Sequence, residues 1–131
     1  MLRFLVFASM LVAVVGPGAA QAPPGITRTD LQREDISAPG REAIQVLVEF
    51  APGTSFPEHS HPGEELVYVT QGSLEYAIAG QPPVTLEAGD VLFIAAGAVH
   101  EVRNVGSGNG AELATYIVEK GKPLITHKES T

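Results

Sequence analysis

From Ala43 to Glu119 the chain reads as short runs of valine, isoleucine, leucine and aromatic residues, each cut off by glycine, proline, asparagine or aspartate. Ala43 to Phe50 carries Gln45 and Glu49 on one parity and apolar residues on the other, the pattern of a half-buried strand. Turn signals then recur at Ala51-Pro52-Gly53, Pro62-Gly63, Gln71-Gly72, Gly80-Gln81-Pro82-Pro83, Ala88-Gly89-Asp90 and Ala96-Gly97, with a flexible hairpin connection over residues 106–110. Between them lie predicted strands Glu65 to Thr70, Ser73 to Ala79, Val84 to Leu86, Val91 to Ile94, Val99 to Asn104 and Ala111 to Glu119. None of these pieces is long enough, or capped in the right way, for a helix. The chain is therefore all-β, and many short strands at regular spacing imply a sandwich or barrel; a double-sheet jelly roll is one way such chains manage their edges. Ile26 to Ile36, where apolar residues mix with Arg28, Asp30, Arg33, Glu34 and Asp35, is expected to form an edge strand or arm.

The amino-terminal segment stands apart from this pattern. Met1-Leu2-Arg3 is a short positive start, Phe4 to Val15 is apolar except for Ser9, and Gly16, Gly18, Ala19 and Ala20 follow, the layout of a secretory signal peptide cut after Ala20. The run is shorter than the roughly 20 residues of a membrane span, so the mature chain is expected to be secreted or periplasmic with no stable span. About 111 residues remain, the size of one domain. The expected divisions are a leader over 1–20, an arm over 21–41, a barrel over 42–120 and a polar tail over 121–131.

Charge and composition narrow the partners. The full chain has a formal charge of −7, and loss of Arg3 leaves 7 basic against 15 acidic side chains. With no cluster of lysine and arginine, nucleic acid and anionic membrane surfaces are excluded as expected partners. Cysteine is absent, which removes disulfides, thiol nucleophiles and dithiol redox chemistry. No glycine-rich phosphate loop joins a strand to a helix.

The chemistry concentrates in His59-Ser60-His61-Pro62-Gly63-Glu64-Glu65, with His100 further on. In an extended strand His59 and His61 point to one face while Ser60 points away. The Pro62-Gly63 signal is expected to reverse the chain and bring Glu65 alongside. Three imidazole nitrogens and one carboxylate oxygen, without sulfur, make a donor set for one divalent transition metal: Fe, Mn, Ni, Co, Cu or Zn. Glu64 alternates to the other face, Glu101 faces away from His100 by the same parity, and His127 reads as a solvated tail residue. Phe56, Val67, Val69, Leu92 and Phe93 are candidates for an apolar wall, with parity leaving their directions open. No second acid or base is placed near the ligands by spacing.

The segment Gly53, five residues, His59-x-His61, three residues, Glu65, six residues, Gly72 resembles the first motif of the cupin superfamily at every fixed position. After sixteen further residues come Gly89, five residues, Ala95, one residue, Gly97, two residues, His100, three residues and Asn104, similar to the second cupin motif except that the family usually has proline at the position of Ala95. The resemblance runs from about Glu42 to Glu119 and implies a single-domain jelly-roll barrel, or double-stranded β-helix, that pairs as a homodimer. It also implies that Glu65 is able to swing off the metal and act as a general base, as in some cupin dioxygenases. The expected function is a metal-dependent reaction of dioxygenase, isomerase or lyase type on a small organic molecule. The alternative is a non-catalytic metal- or small-molecule-binding module of the cell envelope. A transcription-factor sensing domain is disfavoured, since no DNA-binding segment is read in the chain.

Overall fold

The structure, a computed structural model, describes residues 22–129. The proposed leader and its cleavage position lie outside them. Ten strands form two five-stranded antiparallel sheets, and no helix occurs among the described residues. The first sheet runs β1 (Ile26–Asp35), β2 (Arg41–Phe50), β9 (Gly110–Glu119), β4 (Gly63–Gln71), β7 (Val91–Ile94). The second runs β10 (Thr126–His127), β3 (Ser55–Ser60), β8 (His100–Asn104), β5 (Ser73–Ile78), β6 (Val84–Glu87).

Alternation along the strands builds the core. Ile44, Val46, Val48 and Phe50 of β2 face inward with Val67 and Val69 of β4, and meet Leu74, Tyr76 and Val102 from the other sheet. Each such side chain contributes roughly 1.5–3 kcal/mol by leaving water, and the two apolar faces can do so only by closing on one another. Gly72, at φ +70°, makes the tight link between β4 and β5, a conformation open to glycine because it lacks a Cβ.

At Pro62-Gly63 the chain turns and brings Glu65 alongside His61, as the sequence suggested, but the strands on either side of the turn lie in different sheets. The chain crosses from β3 in the second sheet to β4 in the first, so His59 and Glu65 face one another across the barrel. Gly63 is already part of β4, and a Cβ there would lie 2.0 Å from the Ile117 carbonyl oxygen. Its bare backbone is what lets β4 lie against β9 immediately after the crossing. The segment read as a polar tail also does more than expected. Ile125 is buried, Thr126 pairs with Ser60, and His127 pairs with His59 as β10. His127 remains exposed, with its ring stacked on Phe56 at 6.0 Å between centroids.

Candidate metal centre

His59 lies on β3, His61 just after it, His100 opens β8 and Glu65 lies on β4; all four side chains are buried between the sheets. Pairing of β3 with β8 sets His59 opposite His100, with ring centroids 4.2 Å apart. The Ala95–Val99 turn before His100 lacks the usual proline, and backbone hydrogen bonds hold it instead: Ala98 N–H donates to Ala95 O at 3.1 Å and Gly97 N–H to His61 O at 3.2 Å. Further along β8, buried Asn104 accepts from Gly106 N–H and donates to Phe50 O and Gly108 O, which ties down the glycine-rich connection.

Every imidazole is oriented by a backbone carbonyl. His59 Nδ1 lies 2.7 Å from Pro57 O, His61 Nδ1 2.7 Å from Leu124 O, and His100 Nδ1 3.0 Å from Ala98 O. A carbonyl only accepts, so each Nδ1 carries the hydrogen, and in the neutral ring each Nε2 presents a lone pair. The ligating nitrogens of the three rings lie within 4.8 Å of one another, and this buried group can hold a metal ion. Glu65 Oε2 stands 3.1 Å from both His61 Nε2 and His100 Nε2.

The arrangement is short of a cation. His61 Nε2 and Glu65 Oε2 are buried with no hydrogen-bond partner among the described residues, a costly state for groups removed from water. Three buried imidazole nitrogens within reach of one another, with a carboxylate oxygen beside two of them, fit a divalent metal. Titration follows the same logic. Burial holds His59 down at about 3, with the charge of His100 adding to it. Burial pushes Glu65 up, and the imidazoles of His100 and His61 outweigh it, bringing the carboxyl down to about 2. Burial pushes His100 down, but Glu65 outweighs it and the net shift is upward.

Parity placed Glu64 and Glu101 correctly away from the centre; both are half-buried on the outer faces. Of the candidate wall residues, Phe56 lines the cavity, Val67 and Val69 are core, Leu92 is partly buried, and Phe93 points outward at 61% exposure.

The cavity contains residues that spacing did not reveal. Beside His59, His100 and Glu65 it is lined by Arg28, Glu112 and Tyr116. Glu112, on β9, is fully enclosed and accepts a hydrogen bond from the hydroxyl of Tyr76, on the opposing sheet. Burial first, and the charge of Glu65 second, push Glu112 up to about 8, so it is a neutral acid at pH 7. Burial and Glu112 likewise raise the Tyr76 phenol, and burial and Glu65 raise that of Tyr116. Tyr116 packs against His61, 4.6 Å between ring centroids. The available signal was Glu112 as the single acidic residue on the inward parity of β9, whose other inward positions are Gly110, Ala114, Tyr116 and Val118.

Among known proteins, the chain is 38% identical over 101 residues to the tetracenomycin polyketide synthase protein TcmJ of Streptomyces glaucescens, covering 76% of this chain and 64% of that one. It is 33% identical over 63 residues to the dimethylsulfoniopropionate lyase DddQ of Ruegeria pomeroyi, 47% of this chain and 31% of that one. The chain thus spans less than two thirds of the length of either relative. A conserved Klebsiella pneumoniae protein with a double-stranded β-helix domain superposes with a TM-score of 0.65 at 22% identity, covering 84% of this chain and 90% of that one. The Cupin domain family matches residues 46–118, more than half of the chain, with both histidine segments inside the match; with its paired sheets and buried histidine centre, this protein belongs to the cupin family.

Proposed function

We propose that the protein is a metal-dependent enzyme acting on a small organic molecule, with His59, His61, His100 and Glu65 holding one divalent transition metal. The observation that carries this reading is the convergence of three carbonyl-oriented imidazoles on an unpartnered carboxylate oxygen inside a closed barrel. When bound, the metal supplies Lewis acidity to a coordinated oxygen. The chain's residues do the rest. The carbonyls of Pro57, Ala98 and Leu124 fix the imidazole rings, the apolar side chains around them exclude water, and Glu65 accepts a proton at Oε2. Glu112, neutral at pH 7, is a proton donor within the same cavity. Relatives named as a lyase and as a polyketide synthase protein support small-molecule chemistry of this general kind. The leader-like segment supports export to the periplasm or beyond.

Glu65→Gln beside Glu64→Gln tests the site. Replacing an anionic donor by a neutral one should cut metal occupancy in the first variant, and turnover should fall by more than the metal loss explains because a proton acceptor is gone. Glu64→Gln should match the parent in both. Turnover is read by oxygen uptake and product formation with small phenols, diketones and flavonols. Loss of metal without any extra loss of turnover would favour the binding-module alternative, and a fully loaded, fully active Glu65→Gln protein would refute the site.

We also propose that the protein forms a homodimer. Leu66, Tyr68, Val91 and Phe93 expose a contiguous apolar patch on the outer face of β4 and β7, bordering a groove of about 360 Å³, and patches of that kind mark association surfaces. The arm over Ile26 to Ile36, whose mix of apolar and charged residues suits an edge strand that pairs with another subunit, is the weaker candidate, since its exposed Arg33 and Asp35 are paired with Glu42 and Lys120 of the same chain. Light scattering at micromolar concentration should give twice the chain mass, and Phe93→Glu should give the monomer mass. A parent protein of monomer mass with and without metal overturns the dimer.

A further inference from the structure

We propose that residues 124–128 form a strap that positions the His61 ring, and that strap docking and metal binding reinforce one another. The proposal rests on the reading of the histidine centre as a metal site and adds a coupling between that site and the end of the chain. The three rings are not held alike. His59 and His100 are oriented by the carbonyls of Pro57 and Ala98, each two residues away in the chain. The acceptor for His61 is Leu124 O, 63 residues further on and 2.7 Å from Nδ1. Two ligands are therefore oriented as soon as their own segments form, and the third is oriented only when the far end of the chain has returned to the barrel.

The strap is lightly fastened. β9 ends at Glu119 in the first sheet, Gly121 turns at φ +81°, and β10 joins the second sheet at its edge, with β3 as its one neighbour. Ile125 is the buried side chain of the strap and Leu124 packs partly buried against the core, while Thr126, His127 and Lys128 are exposed. Thr126 and His127 pair with Ser60 and His59, and Lys128 N–H donates to Glu58 O at 3.0 Å. The last of these contacts reaches a stretch where β8 holds β3 poorly, because the β3–β8 register shifts between Phe56 and His59. The strap thus braces the ligand-bearing end of β3 as well as the His61 ring. A segment with one buried side chain and a two-residue ladder opens at the low end of a protein's range of local stabilities. A metal on His61 Nε2 requires the ring hydrogen on Nδ1, where it is the donor to the strap. Without that ligand bond, Glu65 Oε2, 3.1 Å from Nε2, competes for the same hydrogen, and a bare Nδ1 would face the Leu124 oxygen with no hydrogen between them. Metal therefore favours the docked strap, and by linkage the docked strap favours metal to the same degree.

Hydrogen exchange of the full chain, with and without bound zinc or cobalt(II), tests the coupling without any substitution. Bound metal should slow exchange of the amides of residues 124–128 by about tenfold or more, and should leave those of β6, the other edge of the same sheet, unchanged. The reciprocal test is Ile125→Asp, which puts a charge where the strap enters the core. It should weaken metal binding about 10–100-fold, the effect of losing a partner that orients a ligand, and should shift the visible absorption of bound cobalt(II), which follows ligand geometry. Ile125→Val should keep both near the parent, as should Lys122→Gln, at an exposed position before the strap. Lys128→Pro, which removes only the N–H bonded to Glu58 O, is the milder second variant and should weaken metal binding in the same direction. Unchanged β6 exchange in either variant shows that the rest of the barrel is intact. A parent that binds metal with no change in strap exchange overturns the coupling, as does a folded Ile125→Asp protein with the parent's metal affinity and cobalt spectrum; both results leave the metal reading standing. A parent that binds no metal overturns the metal reading and the coupling together.

Discussion

Purified protein is expected to carry close to one divalent metal per chain, and His100→Ala to lose nearly all of it. His100 is 1% exposed, faces His59 across the β3–β8 pairing and supplies one of the three nitrogens that lie within 4.8 Å of one another. Altering residues that merely orient a ligand weakens metal affinity about 10–100-fold, so deleting a ligand itself should weaken it by on the order of 100-fold or more. The substitution also leaves Glu65 Oε2 with His61 as its remaining imidazole neighbour. Elemental analysis after dialysis reads the occupancy directly. Melting curves supply a second reading, because a metal that binds the folded state raises its stability with concentration: the parent should respond to added metal and the variant should not. His127→Ala is the control, since His127 is exposed and its ring stacks on Phe56. Unchanged metal content in His100→Ala overturns the centre.

A second large effect is expected from Glu112 in metal-free protein. The folded state holds this carboxyl at about 8 against an ordinary 4.5, so between those values the folded protein binds a proton that the unfolded chain has released. Stability from this group is complete below pH 4.5 and is lost as pH rises toward 8, at about 1.4 kcal/mol per pH unit. His59 acts in the opposite sense. Its folded value near 3 lies below the ordinary 6.5, so its neutral burial favours folding increasingly from pH 3 to pH 6.5. The two slopes oppose one another between pH 4.5 and 6.5, and the parent should lose stability visibly only above that window. Glu112→Gln keeps the shape and an acceptor for the Tyr76 hydroxyl while removing the titration. The stability of the variant relative to the parent should therefore grow by about 1.4 kcal/mol per unit through pH 5–8, reaching on the order of 4 kcal/mol. Denaturant unfolding in the presence of a chelator, at half-unit pH steps, measures the difference. Parallel curves for the two proteins would show that Glu112 ionises normally in the fold.

Glu112 also shows why part of the site escaped sequence reasoning. Nothing near it in the chain resembles a motif; it reaches the metal ligands because β9 pairs with both β2 and β4 and because Tyr76 closes over it from the other sheet. Arg28 comes from the edge strand, and the Leu124 carbonyl reaches His61 from a segment that looked like solvated tail. These are contacts between distant parts of the chain. Local periodicity carries no information about them.

The His59-x-His61 pair is the opposite case, since alternation in an extended strand requires both rings on one face whatever the rest of the molecule does. Alternation likewise separated Glu65 from Glu64 and His100 from Glu101. Turn residues at short intervals required many short strands, and apolar parity required two faces that bury each other. So the sequence by itself determined the all-β class, most of the strand segments and the three histidines that come together, because each follows from a rule acting over a few residues. Only the tertiary structure decided that the chain crosses between sheets at Pro62-Gly63, that carbonyls from three separate segments orient the imidazoles, and that Arg28, Glu112 and Tyr116 share the cavity. The reason is physical: the positions of these groups are set by sheet-on-sheet closure, which depends on all ten strands at once.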